Sequence, residues 1–243
     1  MNRGMNRADL ELCRWHAVAD EGRLQQAAIE IILSDAAQAI HERGQFHIVL
    51  AGGNTPRSIY HGLCAAQTDW SAWRIYFGDE RCLPRDNSTR NSRMVAEVWL
   101  DFVTIPPSQL HTIPAELGAA QAARMYAEML QTVSDFDLVL LGLGEDGHTA
   151  SLFPGHKWGT APGSPDTLAV FDAPKPPPQR VSLSAARLSR ARHVIFLVSG
   201  ESKHRAVAEW RSGQDIPARA IRPAAGVDVL VESSLLEPLA ASN

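Results

Sequence analysis

The segment FHIVLAGGNTPRSIYHGLCAA (46–66) decides the fold. It opens on a short apolar run, 46–50, passes through Gly52-Gly53-Asn54-Thr55-Pro56, and continues in a helical pattern to about residue 66. Apolar run, glycine-rich turn and helix in that order make a buried strand feeding a helix. Working outward, the same unit recurs. Residues 73–77 form a second strand ending in Gly78-Asp79-Glu80-Arg81, and a polar loop then leads to a helix near 91–102. Residues 138–141 form a third strand ending in GLGEDGH, and 193–198 a fourth ending in Ser199-Gly200-Glu201-Ser202-Lys203 and a helix to about Trp210. Before them, Asp20 caps a helix running to Gly44, with Leu24, Ala28, Ile31, Ile32, Ala36, Ala39 and Ile40 on one face. Residues 119–133 make another helix, 227–231 a last strand, and the Pro-rich stretch 173–178 a loop. Strands alternating with helices predict an α/β protein: one domain over 1–243, with a mostly parallel sheet and helices on both faces.

Composition narrows the function classes. The 243 residues are 45% apolar and 21% charged, with 23 basic against 27 acidic side chains and a net charge of −4. Such a balance gives no broad attraction to nucleic acid or membrane, and leaves room for a local basic cluster that holds a small anion. Cys13, Cys64 and Cys82 are scattered and odd in number, which argues against a disulfide framework and a cysteine zinc site and points to a reducing, cytoplasmic compartment. The N-terminal stretch carries no apolar run of signal-peptide type, and no segment nears the roughly 20 apolar residues a membrane-spanning helix needs. The sequence leaves open whether the chain forms a homo-oligomer.

In open parallel sheets, ligands bind beyond the carboxyl ends of the strands. Segments 52–56, 78–81, 142–148 and 199–203 should therefore converge. Gly52 and Gly53 let backbone N–H groups approach an anion, with Thr55 or Asn54 capping the next helix and Pro56 in its first turn; an ordinary strand-to-helix turn has the same composition. GLGEDG matches the dinucleotide fingerprint, but Pro154 and Gly155 break the helix that should follow, and no strand precedes Asp166. The segment is instead read through Asp146 and His148: an imidazole that accepts a proton near neutral pH, with a carboxylate two residues away to fix its tautomer. The alternative is a turn aspartate and a surface histidine. His41, His61 and His204 fall in helical patterns and are read as solvated. Among Asp79, Glu80 and Arg81 at least one should face the cleft, and Arg81 can grip a phosphate with two hydrogen bonds. Lys203 is one of only three lysines, with Lys157 and Lys175. It stands in the first turn of its helix, against the dipole, which suits a lysine meeting a bound anion. No nucleophile elbow, P-loop, zincin motif or other metal cluster is present. What remains is general-base chemistry on a bound sugar phosphate.

Taken together, AGGNTP (51–56), GDERCLPRDNSTRNSRM (78–94), GLGEDGHTASLFPG (142–155) and GESKHRA (200–206) resemble the motifs of the 6-phosphogluconolactonase family, in the family's order, over residues 15–232. The third is the most specific. The resemblance implies a single Rossmann-like α/β domain of the type shared with glucosamine-6-phosphate deaminases. It implies hydrolysis of a phosphorylated sugar lactone in the pentose phosphate pathway, with no cofactor and no metal. Position by position, it makes His148 the general base and Asp146 its partner. Arg81 and Lys203 bind phosphate, with Gly52, Gly53, Asn54 and Thr55 around it and Asp79 among the substrate contacts. Asn54 replaces the family's usual serine, and its amide can still donate. The deaminase branch continues its histidine motif as His-Ile-Ala-Phe-Asn-Glu-Pro and carries an aromatic where Arg81 stands; the run 148–154, HTASLFP, has no such glutamate. Both differences favour the lactonase branch. A sugar-phosphate sensor without catalysis is the rival from another class, disfavoured by the presence of both Asp146 and His148. The expected partner is a small phosphosugar lactone.

Overall fold

The computed structural model describes residues 13–161 and 163–237. Residues 1–12, part of the N-terminal stretch in which the sequence shows no apolar run of signal-peptide type, lie outside them. Strand β1 (Cys13–Val18) comes first, followed by helix α1 (Glu21–Arg43). The signals at both ends of α1 operate as expected. Asp20 accepts from Arg23 N at 2.8 Å, and Gly44 closes the helix at φ 75° by donating to Ile40 O. Leu24, Ala28, Ile32, Ala36 and Ala39 are buried, while Ile31 and Ile40 sit at the edge of that face.

Strand β2 (Phe46–Leu50), helix α2 (Asn54–Leu63) and strand β3 (Trp73–Phe77) follow. The short β4 (Asp79–Arg81) leads to helix α3 (Asn91–Val98), the two-residue β5 (Leu110–His111), helix α4 (Ala119–Leu130) and strand β6 (Phe136–Gly142). Strands β7 (Thr167–Val170) and β8 (Arg180–Leu183), helix α5 (Ala185–Ser189), strand β9 (Ala191–Val198), helix α6 (His204–Arg211) and strand β10 (Val227–Glu232) complete the order. Seven strands form one parallel sheet in the order β1-β10-β9-β6-β2-β3-β5. Every residue of β6 from Phe136 to Leu141 is buried, as both faces of a parallel strand are when layers cover them.

From β2 the chain steps outward to β3 and β5, then returns to the other side of β2 as β6. The crevice between β2 and β6 is thus the topological switch point, where open α/β sheets bind ligands.

The fold adds strands β1, β5, β7 and β8 to those the sequence predicts, and it differs from the sequence reading at other points. Residues 79–81, read as the polar end of the second strand, are a separate strand, paired with β8 in a small antiparallel sheet of order β4-β8-β7. Neither Asn54 nor Thr55 caps α2; Gly53, at φ 109°, is the cap residue, and no side chain serves that end. Lys203 closes a 3₁₀ turn, Glu201–Lys203, one residue before α6 rather than inside its first turn. His204 is only partly exposed, and its Nδ1 is buried.

At the amino edge of the sheet a charge cluster ties the elements together. Arg14 donates to both carboxylate oxygens of Asp228, at 2.9 and 2.6 Å. His16 Nε2 lies 2.5 Å from the same group. His193 bridges Asp35 on α1 (2.7 Å) and Asp228 on β10 (3.0 Å). Burial pushes the Asp228 carboxyl up, but the hydrogen bonds from Arg14, His16 and His193 and the Arg14 charge outweigh it and hold it at about 2. Burial pushes His193 down, but hydrogen bonds and charge from Asp35 and Asp228 outweigh it, and the net shift is upward. The signs follow from linkage. Asp228 stabilises the fold above the ordinary aspartate value, and that stabilisation is lost as pH falls towards 2. His193 stabilises it fully below the ordinary histidine value of about 6.5, and loses this as pH rises through its higher folded value. His193→Ala should therefore lower the melting temperature more at pH 5.5 than at pH 9, by about 2–4 °C for each kcal/mol lost. Equal losses at the two pH values in thermal melts would contradict this account.

Candidate active site

A cleft of about 230 Å³ opens at the carboxyl edge of β2, β3, β6 and β9. Gly52, Gly53, Asn54, Thr55, Asp79, Arg81, His148 and Lys203 all line it. Asp146 reaches it only through His148.

The glycine loop is fixed from below. Tyr60, buried on α2, accepts from Ala51 N and donates to Ala51 O, both at 2.9 Å. A Cβ on Gly52 would fall 2.0 Å from Asn91 Oδ1, so this glycine is needed for close approach to that amide. Gly53 is needed for its positive φ.

Of the three charges in β4, each has a different task. Glu80 is fully buried and takes the place of a cap for α3. Its carboxylate accepts from Asn91 N and Ser92 N, each at 2.8 Å, and from Arg81 N at 2.8 Å, and lies 3.5 Å from Arg90. This stands a negative charge at the helix N-terminus. It also sets Asn91, whose Nδ2 donates to Asp79 O and Oδ1, both at 2.9 Å. Ser151 Oγ donates to the other oxygen of Asp79 at 2.6 Å. Asp79 is therefore held on both sides at the cleft wall. Arg81 donates to Thr89 O, and its Nε is buried without a partner.

No helix follows GLGEDG. The segment turns on itself, with Gly144 N donating to His148 O (2.7 Å), Gly147 N to Gly144 O (3.0 Å) and Ala218 N to Gly147 O (3.2 Å). Asp146 and His148 meet across that turn: Nδ1 lies 2.5 Å from Asp146 Oδ1, which also accepts from His148 N at 3.2 Å. Burial pushes Asp146 up, but the hydrogen bond and charge of His148 outweigh it and the net shift is downward, so the carboxylate is held ionised. Just beyond, Ala150 lines the cleft at φ 48°, the one non-glycine residue with positive φ among those described. Such a conformation costs of the order of 1–3 kcal/mol and collects at functional sites.

Three polar cleft residues outside the four converging segments escaped the sequence reading: Asn91, Lys175 and Arg180. Arg180 stands directly opposite Arg81 in the β4–β8 register. Its guanidinium donates to Pro177 O (3.1 Å) and Lys175 O (2.8 Å) and lies 5.5 Å above the Phe153 ring. Burial pushes its pKa down, Asp79 opposes that, and Arg81 adds to it. Lys175 lies 3.9 Å from Glu145. Lys203 is shifted down, first by burial and also by Lys175, against the pull of Glu145 and Asp146. Like charges directly opposite one another in a sheet repel, so cations gathered here make sense around an anion. The scarcity of lysine is the one sequence signal that could have drawn attention to Lys175.

Fold and cleft define an open α/β protein with a cleft lined by Arg81, Lys175, Arg180 and Lys203 and a carboxylate–histidine pair at its switch point. The family described as glucosamine-6-phosphate isomerases/6-phosphogluconolactonase matches residues 19–230, and the chain belongs to it. It is 38% identical to the 6-phosphogluconolactonase of Synechocystis sp. over 213 residues, 82% of this chain and 87% of that one. A 6-phosphogluconolactonase structure from Thermotoga maritima superposes with a TM-score of 0.83 at 26% identity, covering 91% of this chain and all of the other. A monomeric glucosamine-6-phosphate deaminase shares the fold, with a TM-score of 0.79 at 20% identity over 92% of this chain and 98% of its own. No helix among the described residues is long and apolar enough to cross a membrane.

Proposed function

We propose that this chain hydrolyses 6-phospho-D-glucono-1,5-lactone to 6-phosphogluconate, the second step of the oxidative pentose phosphate pathway, by water attack assisted by His148. The observation that carries the reading is the 2.5 Å contact of His148 Nδ1 with Asp146, inside a cleft lined by Arg81, Arg180, Lys175 and Lys203. With Nδ1 held by the carboxylate, the imidazole carries its proton there and Nε2 keeps a free lone pair.

The substrate phosphate is held by Arg81, Lys203 and the N–H groups of residues 52–55, at the N-terminus of α2. Nε2 takes a proton from water as the oxygen attacks C1. The carbonyl π bond becomes an oxyanion, which the positive field of the cleft stabilises. The oxyanion then re-forms the carbonyl, the bond from C1 to the ring oxygen breaks, and the imidazolium returns its proton to that oxygen. The product carboxylic acid ionises, so one proton is released per turnover. These steps use groups of the chain and water alone. The reading also takes residues 1–243 as one domain working in the cytoplasm.

The deaminase fold-mate makes substrate choice the discriminating experiment. Fresh phosphorylated lactone should yield acid faster than its spontaneous opening, and glucosamine-6-phosphate should yield no ammonia. Ammonia release without lactone hydrolysis would move the chain to the other branch.

A further inference from the structure

We propose that Gly144 is a positioning residue for His148: its missing side chain is the space in which the imidazole sits. A Cβ placed on Gly144 would lie 1.9 Å from His148 Nδ1, 2.2 Å from Cε1 and 2.6 Å from Cγ. All three atoms belong to one ring, and all three distances are shorter than a Cβ atom's non-bonded contacts. The backbone gives no other reason for glycine here. Gly147 needs its positive φ of 80°, whereas Gly144 lies outside that region. In a dinucleotide fingerprint the second glycine lets a pyrophosphate approach the backbone; in this chain the imidazole occupies the corresponding room.

The geometry leaves the ring little alternative. Gly144 N donates to His148 O at 2.7 Å, so the two backbones are tied and cannot separate to admit a methyl group. Phe153 stands 4.9 Å from the imidazole, centroid to centroid, at 43°. It is almost wholly buried, packs with Val170 and Ala173, and lies under the Arg180 guanidinium. A side chain at 144 must therefore turn the ring away from its place, breaking the 2.5 Å contact with Asp146. A base displaced by about 1 Å loses about 10²-fold in rate, while phosphate contacts on other segments stay in place. This inference rests on His148 being the base.

The test is a cycle of Gly144→Ala, His148→Ala and the double variant, assayed on the phosphorylated lactone. Gly144→Ala should lower kcat by about 10²-fold with KM nearly unchanged, and should lower it no further in the His148→Ala background. The His148 imidazole resonances in Gly144→Ala should lose the signature of the Asp146 contact. Full activity in Gly144→Ala beside a crippled His148→Ala overturns the proposal, as does a loss that multiplies with that of His148→Ala. If Gly144→Ala does not fold, the double variant decides: recovery of folding once the ring is gone supports the proposal, and failure overturns it. A fully active His148→Ala removes the base assignment itself, and this inference with it.

Discussion

His148→Ala is expected to lower kcat by about 10²–10⁴-fold, the usual worth of a general base, with little change in KM. The asymmetry follows from the layout. His148 hangs from the turn after β6, whereas the groups assigned to the phosphate come from the loop after β2, from strand β4 and from the turn after β9. Removing the imidazole leaves those untouched. Asp146→Asn should lose part of the same rate, because a neutral amide at the same 2.5 Å position no longer enforces a proton on Nδ1. Near-normal turnover in a folded His148→Ala protein would take His148 out of the mechanism.

The second large effect belongs to the phosphate. Arg81→Ala or Lys203→Ala should each cost about 1.5–3 kcal/mol, the worth of a charge-assisted hydrogen bond, or roughly 10–150-fold in kcat/KM. The phosphate does not react, so these contacts are made in ground and transition states alike and most of the loss should appear in KM. A smaller part should appear in kcat to the extent that the phosphate sets the lactone's attack angle. The unphosphorylated lactone should be a poor substrate for the wild type and should suffer far less from either change. Equal losses on both lactones, measured as kcat/KM, would show that neither residue holds phosphate. Arg180 is a poorer probe for this purpose. It also anchors the 173–178 loop through backbone carbonyls, so its removal would move Lys175 as well.

What could be read locally was read well. Strands 46–50 and 73–77 are continuous apolar runs because both faces of a parallel strand are buried, and their ends fall where the sequence places them. Helix α1 is bounded by Asp20 and Gly44, each of which satisfies backbone groups at its own end. The errors lie where long-range pairing overrides local pattern. Edge strand β1 reads CRWHAV and is largely exposed, so it has no apolar run to betray it. Strands β7 and β8 have four residues each and are joined by a Pro-rich loop, and neither carries a signal of its own. With β8 unseen, Arg180 had no place, and its position opposite Arg81 exists only in the register of the small sheet. The site shows the same division. His148, Asp146 and the glycine loop sit in recognisable segments. Asn91 depends on a buried carboxylate eleven residues earlier, Glu80, which organises the start of α3 and thereby sets the amide over Gly52.

The most direct test of the central claim is base uptake at constant pH after adding fresh 6-phosphogluconolactone to wild type and to His148→Ala side by side, each corrected for spontaneous opening. The account predicts uptake that rises in proportion to wild-type concentration, while His148→Ala stays close to the spontaneous rate. Wild-type uptake no faster than the spontaneous reaction would contradict it.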